Sequence, residues 1–525
     1  MMRSGMNRRD FLQAGVRNVG AVGLLSTGSS LPFARPTRAA SPKLGGTIRI
    51  GQSGGSVSDS LDPASFASGP IVTAMLAVCN NLAEIDTDGN AVPELAESFT
   101  PSADARVWTV PLRGDARFGD GRAVTAADVI ASFNHHRGAD STSGAKALLT
   151  QIADIRADGP NTVIFELKSG NADFPFITAD YHLIIMPAQP DGSLNWQSGL
   201  GTGGYTLEEH DPGVIVRLKR RDDYWKKGRG WFDTAELLTI NDLTARQSAL
   251  LTGEVDVINS VDRHVLHLLE SQPNLSLVET TGTAHSAIPM FCDTPPFDDV
   301  NVRLALKHAI GRTELLEKIL LGHGALGNDH PIAPTNRFHA ADLEQRTYDP
   351  DKARYFLKKA GHTRLELTLS AADAAGTGSV DMAVLFREHA AAVGIDIDLV
   401  REPDDGYWTN VWLKKPFILS YWNGRPTEDL MFSTVYAGGA EWNESHWRND
   451  RFDALLSAAR TELNEDLRRE MYREMQILCR DDGGTIVPMF LNYIDARNDR
   501  VAHGPVASDR FLDGWKLIER WWSTA

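Results

Sequence analysis

Cysteine is scarce in these 525 residues: Cys79, Cys292 and Cys479 stand far apart and odd in number. At most one internal disulfide can form, and no pair has the short spacing of a metal site. Long apolar runs are scarcer. Apart from a Gly/Ala-rich stretch, Val16 to Leu25, nothing approaches the roughly 18 apolar residues that a membrane helix needs. No Walker-type loop is present, so the chain carries no ATP-binding signature of its own. Gly199-Leu200-Gly201-Thr202-Gly203-Gly204 has the glycines but neither an apolar strand before it nor a clear helix after it, and it reads as a turn entering a strand at Tyr205. His135-His136 and the pair His264 and His267 lack Cys or acidic neighbours at ligand spacing and read as solvated or structural. No Ser-His-Asp or paired-carboxylate order argues for catalysis. Positive charge is also short, with 53 Lys and Arg against 69 Asp and Glu, a net of −16. Residues 1–40 hold six Arg and one Asp, +5 of that total, which leaves −21 on the remainder. A body this acidic repels phosphate backbones, so nucleic acid is excluded as a partner.

What is present begins with an export pattern. Arg8-Arg9 precedes Phe11-Leu12, a weakly apolar run follows, and Thr37-Arg38-Ala39 offers small residues for cleavage near Ala39 or Ala40. This is the form of a twin-arginine signal, a receptor-read address. No Cys stands at its end for acylation, so release as a soluble monomer is expected over tethering. Downstream, Thr47 to Ile50, Trp108 to Leu112, Val163 to Leu167 and Ile395 to Leu399 alternate with the period of half-buried strands. Thr125 opens a capping-box pattern with Asp128. Helical stripes dominate from about 298: Val302, Ala305, Leu306, Ala309 and Ile310, then a helix capped by Asp450, then Leu467, Met471, Met475 and Leu478. Strand patterns between them make the second half α/β.

An ordered series of short motifs carries a resemblance. Asp86-Thr87-Asp88-Gly89-Asn90 and Pro93-Glu94-Leu95-Ala96-Glu97-Ser98 come first, then Trp108 to Arg113, Phe118-Gly119-Asp120-Gly121 and Thr125 to Val129. Gly201 to Tyr205, Arg221-Asp222-Asp223-Tyr224-Trp225, Phe297 to Val300 and Tyr348 to Ala353 follow in order. From about 45 to 495 the chain resembles the dipeptide and oligopeptide-binding (family 5) class of periplasmic solute-binding proteins of ABC importers. The resemblance implies an α/β, two-lobed periplasmic binding protein fold of type II. The first lobe would cover 41–289, with an extra subdomain at about 82–200, and the second 290–487. Residues 488–525 would return to the first lobe. It implies capture of a small ligand by lobe closure and delivery to membrane permease subunits. Relatives that carry nickel or haem make an exported metal or haem carrier, or an enzyme, the rival reading, but the residues show no ligand cluster, and no cofactor, metal or catalysis is expected.

In peptide-binding members of that class, an Asp three positions after a cleft Trp holds the ligand's ammonium. Here Tyr421-Trp422-Asn423-Gly424-Arg425 puts an arginine at that position. An arginine prefers a carboxylate or phosphate. A peptide-like, opine-like or sugar–amino-acid ligand with an anionic group is one reading. The alternatives are that Arg425 pairs with Glu428 or Asp429, or faces solvent, and that ordinary peptides bind. Trp442, Asn443 and Tyr493 join the expected ligand contacts, since indole and phenol faces suit sugar rings and chains. Ser53 and Gly54, in Ser53-Gly54-Gly55-Ser56, are expected to offer backbone amides from the first lobe.

Overall fold

The computed structural model describes residues 41–524, and the expected export signal at 1–40 lies outside them. One mixed sheet of ten strands runs through the molecule. Its first part is built on Thr47–Gln52, whose Ile48 and Ile50 are fully buried. It pairs in parallel with Thr234–Thr239 and Val257–Ile258. Beyond Thr234–Thr239 the order continues antiparallel through Ile215–Arg220 to Tyr205–Asp211. Val501, Leu512, Leu517, Ile518 and Trp521 from the C-terminal segment enter the same core as Ile48 and Ile50.

Two long antiparallel strands, Leu275–Pro289 and Met489–Asn498, leave this core and run into a second one. Near Leu275 and Asn498 they are tied to Val257–Ile258. Past an irregularity between Thr281 and His285 they carry Ser420–Trp422 and Gly324–Leu326 on their flanks. A bulge of this kind bends the strand locally, which suits a joint between two lobes. The second core gathers Leu306, Leu369, Phe386, Ile395, Phe417 and Leu419. The chain is therefore a two-lobed α/β fold with two crossing strands between the lobes. A four-stranded sheet of Thr100–Pro101, Val107–Pro111, Thr162–Leu167 and Ile152–Ala157 has its own core around Trp108, Phe133 and Phe165.

Local chemistry explains most of these elements. Asp128 reaches back to accept the Thr125 N–H at 2.8 Å, so the box at the start of Ala126–His135 forms. Val302, Ala305 and Leu306 bury one face of Val300–His308, which Asp299 caps. Two expectations shift. The helix Asp450–Thr461 is capped by Asn449, whose Oδ1 accepts the Phe452 N–H at 3.0 Å. Glu465–Asp481 buries Arg468, Tyr472, Met475, Gln476 and Cys479, while Leu467 is exposed. Arg468 turns inward because buried Asp173 accepts from it at 2.6 Å. The glycines at 201 and 203 are packing residues: a Cβ would lie 2.1 Å from the Val78 carbonyl oxygen or 2.2 Å from that of Ala77.

Candidate functional site

Ser420–Trp422 lies at one edge of the ten-stranded sheet. It pairs His285 with Trp422 and Ser286 with Tyr421, just past the bend in the crossing strand. Side chains alternate along it, so Ser420 and Trp422 turn inward while Tyr421 stays 38% exposed. Trp408, Trp412, Tyr421, Trp422, Asn423, Arg425 and Trp442 line a pocket of about 210 Å³. Four indoles and a phenol form a continuous run of edge and tilted contacts. Ring centroids are 5.6 Å apart for Trp408 and Tyr421, 5.9 Å for Trp408 and Trp412, and 6.0 Å for Trp422 and Trp442.

Buried Glu444 organises this run. One carboxylate oxygen accepts the Trp422 indole N–H at 2.9 Å. The other accepts the Trp412 indole N–H at 2.8 Å and the Ser420 hydroxyl at 3.0 Å. Burial pushes the Glu444 carboxyl up, and the three hydrogen bonds oppose that. With both N–H groups committed, Trp412 and Trp422 offer ring faces rather than donors. The polar side chains of Asn423 and Arg425 complete the lining.

Arg425 is half-buried. Its guanidinium carbon lies 5.7 Å from the Trp422 ring centre, and Nη1 donates to the Asn423 and Gly424 carbonyls at 3.1 and 3.4 Å. Neither acidic neighbour takes it. Asp429 is bound by Arg460 at 3.0 Å, and Glu428 accepts the Phe338 N–H at 2.8 Å. Among the described residues Arg425 has no carboxylate in ion-pair range. Burial first, then the Arg510 charge, pull its guanidinium below the ordinary value. Gly424 sits where a Cβ would lie 1.7 Å from the Thr283 hydroxyl, so the loop can rest against the crossing strand only as glycine. A second cavity of about 530 Å³ shares Tyr421, Trp422 and Asn423 and opens between His285, Ser286 and the turn at Asp373 to Gly378.

The structure brings together Tyr421, Trp422, Asn423, Gly424, Arg425 and Trp442. It does not add Asn443, which is buried and donates to the Ala437 and Trp447 carbonyls at 3.2 and 2.7 Å as a loop brace. Tyr493 stands on the crossing strand with its ring against Phe511, 4.6 Å between centroids, outside the aromatic pocket. The amides expected from the first lobe are already used. Ser53 N–H donates to Asn259 at 3.0 Å, Gly54 N–H to Asn241 at 2.8 Å, and Ser56 N–H to Asp59 at 3.1 Å. Sequence reasoning missed Glu444 because an isolated acidic residue in a loop gives no sign of which donors it will meet.

Among the described residues, one group of carboxylates is close enough to share a metal: Glu84, Glu94 and Glu519. Lys226 reaches all three, at 3.1, 2.6 and 3.0 Å, and Lys516 reaches Glu84 and Glu94 at 3.1 and 2.8 Å. Two ammoniums occupy the place a cation would take. His264 and His267 are exposed and Cys79, Cys292 and Cys479 are unpaired. No helix among the described residues is long and apolar enough to cross a membrane.

Comparison with known proteins places the fold and the family. The model of the bacterial extracellular solute-binding proteins, family 5, matches residues 90–444. The dipeptide-binding protein of Escherichia coli K12 is 25% identical over 473 residues, 82% of this chain and 86% of that one. Among solved structures, HbpA2 from Haemophilus parasuis superposes with a TM-score of 0.80 at 20% identity, covering 89% of this chain and 99% of that one. AgaA of A. tumefaciens R10, in complex with agropinic acid, gives 0.68 at 23% identity, covering 91% and 98%.

Proposed function

The chain belongs to family 5 of the bacterial extracellular solute-binding proteins, and from that premise we propose that it captures a small organic anion in the Trp-lined pocket, with Arg425 holding the anionic group. It is the substrate-binding component of an ABC importer. In this reading it works in the periplasm, reached by the twin-arginine route, as a monomer that hands its ligand to permease subunits rather than transforming it. Closure turns the lobe that ends near 487 on the one that ends near 289, about the bend in the crossing strands.

One observation carries the ligand reading: a half-buried guanidinium at the mouth of an aromatic pocket, with both nearby carboxylates committed elsewhere. Ring faces bind a sugar, a flat ring or an aliphatic chain, and the guanidinium selects the acid. An opine-like or sugar–amino-acid conjugate has both parts. Ordinary di- and oligopeptides are the second reading, supported by the Asp373 carboxylate on the 530 Å³ cavity, which can meet an ammonium although Arg401 already pairs with it at 2.8 Å.

Calorimetry with agropinic acid, glutathione and Met-Leu separates the two. The first reading expects the acids to bind the wild type and Arg425→Ala to cost about 2–5 kcal/mol. Arg425→Lys loses part of that, since an ammonium cannot make the two-pronged contact. Equal binding of Met-Leu by wild type and Arg425→Ala, with the acids inactive, rejects it.

A further inference from the structure

The segment after Ser508 has an uncommon backbone. Leu512, Asp513, Gly514 and Trp515 take φ values of 55°, 59°, 67° and 61°, four left-handed residues in succession, three of them not glycine. L residues hold such a conformation only where the surroundings over-determine it, and such turns cluster at ligand clamps. Here the ties are explicit. Asp495 accepts the Leu512 N–H at 2.6 Å. Asp513 accepts the Ala507 N–H at 2.8 Å, the Trp521 indole N–H at 3.0 Å and an Arg520 N–H at 2.9 Å.

The turn brings Trp515 back over Arg510. The Arg510 guanidinium lies 4.8 Å from the Trp515 ring centre and 5.4 Å from that of Tyr181. A guanidinium stacked on rings uses its faces there, and its N–H groups, which lie in the plane, remain available to a ligand. Among the described residues, Arg510 has no carboxylate in ion-pair range.

Arg510 and Arg425 line one small cavity of about 60 Å³, together with Gly424, Glu428, Asp509 and Arg337. At about 15 Å³ for each water-sized group, this is room for roughly four, the size of a carboxylate on its carbon or of a phosphate. Two of the other charged groups there have partners of their own. Arg337 donates to Asp173 at 2.7 Å, and Glu428 accepts the Phe338 N–H at 2.8 Å; burial pushes the Glu428 and Asp509 carboxyls up, and the Arg510 charge opposes this at Asp509. Two guanidiniums from opposite sides of the cleft thus face one small space, and among the described residues neither has a carboxylate in ion-pair range. Arg425 also lines the aromatic pocket, so the two spaces are connected through it.

We propose that Arg510, on the C-terminal segment packed into the first core, is the second arm of the ligand's anion site: it and Arg425 grip one carboxylate- or phosphate-sized oxyanion across the cleft. The anion is then the latch that holds the lobes together, while the aromatic pocket takes the rest of the molecule. This rests on the reading of Arg425 above.

Agropinic acid, glutathione, glutathione diethyl ester and inorganic phosphate are titrated into the intact protein and into Arg510→Gln, Arg510→Lys, Arg425→Gln and the Arg425→Gln/Arg510→Gln double variant, with urea unfolding as a folding control. The expected result is that an acid binds the wild type and loses tenfold or more in either single glutamine variant. The double variant is then little worse than the singles, because both arms hold one group. The diethyl ester binds more weakly than glutathione in the wild type, and that difference shrinks in Arg510→Gln. Arg510→Lys keeps the charge should the glutamine variant fold poorly, and it too loses affinity. Binding by phosphate but by neither organic acid identifies a phosphate ester as the ligand class and upholds the clamp if Arg510→Gln abolishes it. Wild-type affinity in Arg510→Gln alongside loss in Arg425→Gln overturns the clamp and leaves Arg425 as a single-handed anchor. Wild-type affinity in both, or no anion binding by the wild type, overturns both readings.

Discussion

Glu444 offers the sharpest separation between a structural and a positioning role. Three donors converge on it: the indole N–H groups of Trp412 and Trp422 and the Ser420 hydroxyl, at 2.8 to 3.0 Å, in a site where Glu444 is 1% exposed. A buried donor stripped of its partner costs about 1–3 kcal/mol. Glu444→Ala strands all three but opens room for water, so a loss of about 3–5 kcal/mol in urea unfolding is expected rather than the full sum. Glu444→Gln is the more telling change. It can keep its carbonyl oxygen on Trp412 and Ser420, but its NH₂ then faces the Trp422 N–H, donor against donor. That is one bond lost and one mismatch gained, about 1–3 kcal/mol. The mismatch falls on the indole that forms the pocket wall and stacks under Arg425. Affinity for an acid identified by calorimetry should therefore fall in Glu444→Gln at urea concentrations where the protein is fully folded, with a shift in tryptophan emission. Unfolding curves of both variants within about 0.5 kcal/mol of wild type, with unchanged affinity, would refute the assignment.

Asp495, buried on the crossing strand with Oδ1 unpartnered, has its carboxyl pushed up to about 7 by burial. The folded state then binds more protons than the unfolded one between about pH 4 and 7, so stability should fall as pH rises through that window, by on the order of 4 kcal/mol, and level off above it. Urea unfolding at stepped pH should show this slope in the wild type and a flatter one in Asp495→Asn. Buried Asp173 joins the segment before Phe174 to Arg337, in a turn, and to Arg468, on the helix Glu465–Asp481, at 2.7 and 2.6 Å. Asp173→Ala leaves buried Arg468 without its countercharge and Arg337 with only Glu465, at 3.7 Å; it should cost about 3–5 kcal/mol in thermal or urea unfolding, and a change under 1 kcal/mol would show the pair to be water-relaxed.

The parts of the fold legible in the sequence were those set by local rules. The alternation at Thr47 to Ile50, the box at Thr125 and Asp128 and the stripe from Val302 to Ile310 each depend on residues a few positions apart, and each took the expected form. The face of Glu465–Asp481 did so in part: Met471, Met475 and Leu478 meet the core, but Leu467 is exposed and Arg468 turns in to Asp173, 295 residues away. The site divides the same way. That Tyr421, Trp422, Asn423 and Arg425 line one pocket could be read because they are near neighbours in sequence, and Trp442 because its indole lies in a stretch already rich in aromatics. Asn443 could not be assigned from composition, since an amide serves a ligand or its own loop equally well and only the positions of the Ala437 and Trp447 carbonyls decide. The same holds for Ser53 and Gly54, whose amides are free or spent according to where Asn259 and Asn241 fold back. Arg425 is the clearest instance. Two carboxylates lie within four residues of it, and local spacing alone favours an internal ion pair. That pair fails to form because Glu428 is drawn to the Phe338 N–H, 90 residues off, and Asp429 to Arg460, 31 residues off. The guanidinium left over faces the cleft for reasons that lie in other elements, which is why a substitution there should alter the choice of ligand more than the stability of the fold.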